Sequence, residues 1–233
     1  MMIRSGIVDV AVTGGSEACF SYGLIKAREA MRVLASDTCR PFSLGREGLV
    51  LGEGAAVFVI ESLAHARARS AVALASIAGI GMSADAADIV APSDIGAARA
   101  ISAAMQDAGL GAGDIQYINA HGTGTKANDI TETRAIRLAL GPWANEPLVS
   151  STKSMHGHAL GASGALELVA VVGALRHGVV PATLHFCHKD PECDLSLVVN
   201  ESRQHRVRAA LSNSFAFGGL NAVLAVTSAV DAL

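Results

Sequence analysis

From residue 73 onward, short apolar runs alternate with longer segments of helical spacing, and few architectures accommodate that order. "ALASIAGIG" reads as a strand, and "DIGAARAISAAMQDAG" as a helix with Asp94 as its cap and Gly109 as its stop. "IQYINA" is a strand. "NDITETRAIRLALGP" is a helix in which Asp129 and Glu132 fit a capping box, closed by Gly141 and Pro142. "LVSS" is a strand and "GALELVAVVGALRHG" a helix, and "RAALSNSF" with "NAVLAVTS" makes a final strand pair. Such alternation predicts an α/β protein with a largely parallel or mixed sheet covered by helices.

The first 72 residues are less regular. Residues 7–12 form an apolar run that predicts a strand, with a tight turn at Gly14 and Gly15. Leu24, Ala27, Met31 and Leu34 have helical spacing. After the irregular "ASDTCRPFSLGREG", "AAVFVIES" predicts a strand and "LAHARARSA" a short polar helix or linker, with a boundary near residues 64–72.

A chain of 233 residues, 51% hydrophobic and 17% charged, can bury a substantial core without metal or disulfide. Its net charge of −3 gives no general attraction to nucleic acid or a membrane surface. Apolar stretches such as "ALELVAVVGAL" are short for a bilayer, and this one contains Glu167, so no membrane span is expected. No secretory leader is apparent at the N-terminus. Cys19, Cys39, Cys187 and Cys193 lack CxxC pairing, which points to reduced thiols in a cytoplasmic protein.

Three loops rich in small residues follow predicted strands: "NAHGTGT", "STKSMHGH" and "SFAFGGLN". In open α/β sheets such loops gather where ligands bind. His156 and His158 would make a metal pair only with further ligands, and no partner cluster or HExxH accompanies them. Neither GxxxxGK[ST] nor a strand-linked GxGxxG is present, so phosphate cradling by these glycines is unsupported. His65, His177, His185, His188 and His205 read as surface or satisfied core residues. The basic run "SRQHRVRA" reads as a solvated strand or turn, with contact to an acidic partner as the alternative.

The ordered set "CRPFSLGREGLVLGEGAA", "NAHGTGT", "SSTKSMHGHALGASGALE" and "LSNSFAFGGLNAVL" resembles the C-terminal part of the β-ketoacyl-acyl carrier protein synthases, condensing enzymes of the thiolase fold. "IRSGIVDVAVTGGSEA" resembles a strand and turn late in the first half of that fold, so the resemblance covers nearly the whole chain. It implies a thiolase-like αβαβα layered sandwich, with residues 1–66 as a remnant of the N-terminal half and residues 67–233 as the C-terminal half. It implies an acyltransferase that condenses an acyl group, carried on a cysteine, with the carbanion from decarboxylated malonyl-acyl carrier protein.

By that resemblance His121 and His158 donate hydrogen bonds to the malonyl thioester oxygen. Lys153 and Glu167 are expected as a buried pair that orients the histidines. Thr123 and Thr125 match residues that contact the pantetheine arm, and Phe217 the gating phenylalanine. Gly218 and Gly219 give its loop freedom, whereas Ala216 stands where a glycine is common. His156 falls outside the pair. No cofactor is implied beyond the phosphopantetheine of acyl carrier protein, the expected partner, together with a second copy or a synthase subunit.

None of the four cysteines has the family context of the nucleophile. The chain alone is therefore expected not to complete condensation. A truncated synthase is the first reading, and a non-catalytic subunit like a chain-length factor the second. A thiolase proper is third, since "SFAFGGLN" lacks the cysteine its final loop would carry.

Overall fold

The computed structural model describes residues 1–229; the last four residues of the expected 67–233 unit lie outside them. Its centre is a five-stranded mixed sheet formed by β3 (Ala75–Ala84), β4 (Tyr117–Asn119), β5 (Leu148–Ser150), β8 (Ala209–Ala216) and β9 (Leu220–Ser228). The order is β3-β9-β8-β4-β5. β4 runs parallel to both β5 and β8, and β9 runs antiparallel to β8 and β3. Asn119 is in register with both Ser150 and Ser212, so three strands deliver their following residues to one end of the sheet.

Side chains that alternate along these strands build two cores. On one face Ile118, Val149, Leu211 and Val223 meet Ile101 and Met105 of α3 (Asp94–Ala108) and Ile136 of α4 (Lys126–Leu140). On the other, Tyr117, Ala210 and Val226 meet Leu168, Val171 and Leu175 of α6 (Ser163–His177). Full burial of each large aliphatic side chain is worth about 1.5–3 kcal/mol, which makes the sheet the main source of stability.

Beyond α6 lies an antiparallel pair, β1 (Val10–Glu17) and β2 (Gly54–Glu61). Phe58 packs inward with the second core. Helices, sheet, helix and second sheet thus follow one another as four layers of the αβαβα order among the described residues. The outward face of the pair bears Val12, Val57 and Val59, exposed by 72%, 68% and 64%.

The stretch Leu160–His177 is long and apolar enough, by length and composition, to cross a membrane. Here it is an interior layer, with a buried Glu167 held by Lys153 in its middle. The sequence reading, limited to residues 165–175, measured this segment too short.

Several local expectations need correction. Gly14 and Gly15 form no turn: β1 runs through both, because a Cβ at Gly14 would sit 2.1 Å from the Ala56 carbonyl and one at Gly15 2.6 Å from that of Gly161. The glycines serve close approach. The first helix, α1 (Tyr22–Ala30), is capped by Ser21 and ends before Leu34, which instead bridges to Leu49. The polar segment becomes α2 (Leu63–Ala68). α3 is capped by Ser93, whose Oγ accepts from Gly96 N at 3.2 Å, so Asp94 is the first helical residue; Gly109 ends it in the left-handed region at φ 67°.

The capping box also fails. Thr125 caps α4, and Asp129 and Glu132 lie inside the helix, both buried. Their carboxylates turn back to the loop that precedes the helix instead.

Candidate active site

The residues that follow β4 and β5 converge at the shared strand end. Glu132 on α4 accepts hydrogen bonds from His121 N and Gly122 N, both at 2.8 Å, while Asp129 accepts from Gly124 N at 3.2 Å and Phe42 N at 2.8 Å. Two buried carboxylates thereby clamp the backbone of the His121–Gly124 loop. Burial raises both above the ordinary carboxylate range, Asp129 to about 6. The backbone N–H bonds act against that rise. Arg46, itself buried, pairs with Asp129 at 3.4 Å and Asp190 at 2.5 Å and so ties α4 to the segment after α6.

Lys153 opens the short helix α5 (Lys153–His156) and is fully buried. Its Nζ pairs with Glu167 Oε1, donates to the His121 carbonyl at 2.6 Å and lies 3.3 Å from His121 Nδ1. Burial lifts Glu167 to about 7, against the pull of Lys153. An ammonium has only donors, so His121 Nδ1 accepts and the ring proton sits on Nε2.

His158 is held differently. Its backbone N donates to Val50 O at 2.7 Å and its carbonyl accepts from Gly52 N at 3.1 Å, so the segment before β2 fixes its place. Its Nδ1 lies 2.8 Å from Ser163 Oγ. With the Ser163 hydroxyl as donor, His158 too carries its proton on Nε2.

The two rings meet edge to face, with centroids 5.4 Å apart and planes at 84°. Burial, and then the charge of Lys153, depress both imidazoles: His158 to about 3 and His121 well below its ordinary value. Both are neutral near pH 7.

Both rings open on a cavity of about 710 Å³. Thr123 and Thr125 line it, with their hydroxyls 2.9 Å apart, and Thr125 also caps α4. Val33, Leu49, Met82, Val90 and Leu160 supply apolar walls. Phe217 stands at the rim, 44% exposed, with the Arg28 guanidinium 5.3 Å from its ring centroid. Gly218 and Gly219 adopt φ of 83° and 73°, where a β-carbon is strained. Asp85 receives the Asn221 side-chain amide at 2.7 Å, and its backbone N donates to Gly219 O at 2.8 Å, anchoring the far side of the loop.

His156 is apart from this arrangement, with Nδ1 at 2.9 Å from Gly157 O and Nε2 at 3.1 Å from Thr152 Oγ1. Among the described residues, no three His, Cys, Asp or Glu side chains form a metal-binding group. No cysteine lines the cavity. Cys39 and Cys193 are pushed up to about 12 by burial, and Cys19 is also raised. Their thiols favour the protonated, unreactive form.

A thiolase-like fold thus brings two neutral histidines, with a buried lysine behind one of them, and the Phe217 loop to one largely apolar cavity. The chain belongs to the β-ketoacyl synthase family: the models of its N-terminal and C-terminal domains match residues 1–66 and 74–187. Among curated relatives it is 56% identical over 223 residues to nodulation protein E of Rhizobium sp. (strain N33) and 44% identical over 230 residues to 3-oxoacyl-acyl-carrier-protein synthase 2 of Staphylococcus aureus (strain COL). Each match covers 96% of this chain and 56% of the relative, so the chain spans about half their length. Among solved structures, the ishigamide ketosynthase/chain length factor superposes with a TM-score of 0.93 at 42% identity, covering 97% of this chain and 56% of that one. A type II polyketide acyl-carrier protein in complex with its hexaketide-bound ketosynthase, AntDE:AntF, gives 0.94 at 34% identity, covering 97% and 58%.

Proposed function

We propose that these residues form the malonyl-decarboxylating part of a β-ketoacyl-acyl carrier protein synthase. The observation that carries this is the pair of imidazoles on one cavity: Lys153 leaves the His121 proton on Nε2, and with Ser163 as donor His158 presents Nε2–H as well. Two such donors about 3 Å from a thioester oxygen stabilise the enolate formed as carbon dioxide leaves. Neutral rings suit the task, because they donate without first giving up a proton to the developing carbanion. Lys153 and Glu167 act as positioning residues, since Lys153 fixes the His121 tautomer.

Thr123 and Thr125 receive the pantetheine arm of a malonyl-acyl carrier protein, and Phe217 with its two glycines gates the cavity. No separate cofactor takes part. A structural relative solved with an acyl-carrier protein supports that partner. The chain works in the cytoplasm, paired with a second copy or a synthase subunit.

These residues do not complete condensation by themselves, because none of the four cysteines faces the histidines to hold the acyl group. The test is incubation with acyl- and malonyl-acyl carrier protein, followed by mass spectrometry of the carrier. Acetyl-acyl carrier protein without β-ketoacyl product is expected; β-ketoacyl product would overturn the proposed inactivity.

The cysteine-free cavity also favours a second reading, a non-catalytic partner of an active synthase like a chain-length factor. The ketosynthase/chain length factor relative supports it. Under that reading the chain shows no decarboxylation alone and copurifies with a cysteine-bearing synthase.

A further inference from the structure

At the far end of α6 from Ser163, about 20 Å along the helix at 1.5 Å per residue, a second pocket of about 610 Å³ opens on the surface. Its walls are the last turn of α6, with Arg176 and His177, and the run from Gln204 to Arg208, with His205 and Arg206. Among the described residues no aspartate or glutamate lines it, and Leu175 and Val207 form an apolar floor. This is the basic run that the family resemblance leaves without a role.

Six arginines elsewhere pair with acids, Arg46 with Asp129 and Asp190 among them. Arg4 pairs with Asp107, Arg40 with Asp37, Arg69 with Glu61, Arg134 with Glu192 and Arg137 with Asp194. Arg176, Arg206 and Arg208 make no ion pair among the described residues. The C-terminal carbonyls of α6 offset part of the charge of Arg176, because a helix ends in a partial negative charge. Arg206 and Arg208 come from another segment and have no such compensation.

The backbone that carries them is fixed. Gly178 ends α6 in the left-handed region, and its carbonyl accepts from His205 N at 2.8 Å. β6 (Val179–Val180) pairs with β7 (Arg203–Gln204), placing Val179 opposite Gln204. Arg208 N donates to Gln116 Oε1 at 3.0 Å, and Arg208 O accepts from Ser228 N at 2.8 Å. Three guanidiniums therefore project from anchored positions around a concavity whose size suits a small molecule.

We propose that this pocket binds a small molecule bearing a phosphoric anhydride, with the guanidiniums of Arg176, Arg206 and Arg208 on its phosphoryl oxygens. Guanidinium forks match phosphate in bidentate geometry, and adjacent phosphates need more cations than one side chain supplies. His177 and His205 add ring N–H donors at the rim. A concave pocket with an apolar floor favours such a ligand over an acidic protein segment, which would need a broad, flatter surface.

The test is isothermal titration of the 233-residue chain with sodium pyrophosphate at pH 7.5, the ionic strength held constant with sodium chloride. Saturable one-site binding is expected, weakened at least tenfold by R206Q/R208Q and by R176Q. These exposed substitutions should leave the unliganded Tm unchanged. If a variant loses Tm, amide shifts in the unsubstituted chain decide instead: pyrophosphate must move Gly178 and residues 205–208 and leave His121 and His158 in place. Binding no stronger than that of sulfate at matched ionic strength, or equal in all variants, would overturn the proposal. Tighter binding of a polyglutamate peptide than of pyrophosphate would also overturn it, in favour of an acidic protein partner.

Discussion

The five-stranded sheet and the β1–β2 pair treat the same residue types in opposite ways. In the sheet Val149 and Val223 are buried completely, whereas in the pair Val12, Val57 and Val59 face outward, each more than 60% exposed. The sheet closes its own core between helices and can afford buried charge at its strand ends. The pair has one finished face, toward α6, and one apolar face open to solvent. The site nevertheless draws on both regions, because His158 is hung on Val50 and Gly52 just before β2.

The largest effect is expected where charge is buried. Lys153→Ala leaves Glu167 without its cation and should cost about 3–5 kcal/mol, measured by urea denaturation. A loss near zero would mean that the pair contributes little to the sheet region. Leu211→Ala, in the centre of the first core, should cost about 2–5 kcal/mol. Val57→Thr on the open face of the β1–β2 pair should stay within about 0.5 kcal/mol. Equal losses for these two would erase the contrast between the regions.

A subtler difference is expected with pH. An ordinary imidazole gains its proton near 6.5, but His158 is held at about 3, by burial first and by Lys153 second. Below pH 6.5 the unfolded chain therefore takes up protons that the folded chain refuses. The histidine contribution favours unfolding increasingly as pH falls from 6.5, and stops growing below about 3. Ring-nitrogen NMR should show His158 still neutral at pH 5; a midpoint near 6.5 would contradict its burial.

Much of this was legible in the sequence. The strand and helix alternation after residue 73 predicts the mixed sheet, and the ordered loops bring His121, His158 and Phe217 to one cavity, with Lys153 buried behind His121. What escaped depends on distance in the chain. Asp129 and Glu132 read as a capping box because spacing alone cannot tell a capping carboxylate from one that reaches back eleven residues to His121 N. The only local signal was two acids on the inner face of α4. Arg28 lies 189 residues before Phe217, and no periodicity links them. Gly14 and Gly15 read as a turn because glycine signals both turns and close packing, and the Ala56 and Gly161 backbones that require them come from other segments. Ser163 was hidden in a run of small residues, although its hydroxyl lies 2.8 Å from His158 Nδ1.

The central claim is that two neutral imidazoles donate to one enolate oxygen. It is tested most directly by the rate at which the chain releases carbon dioxide from malonyl-acyl carrier protein, compared with His121→Ala and His158→Ala. Each substitution should lower that rate about 10²–10³-fold while the Tm of His158→Ala stays close to that of the parent chain. An unchanged rate in the doubly substituted protein would contradict the account.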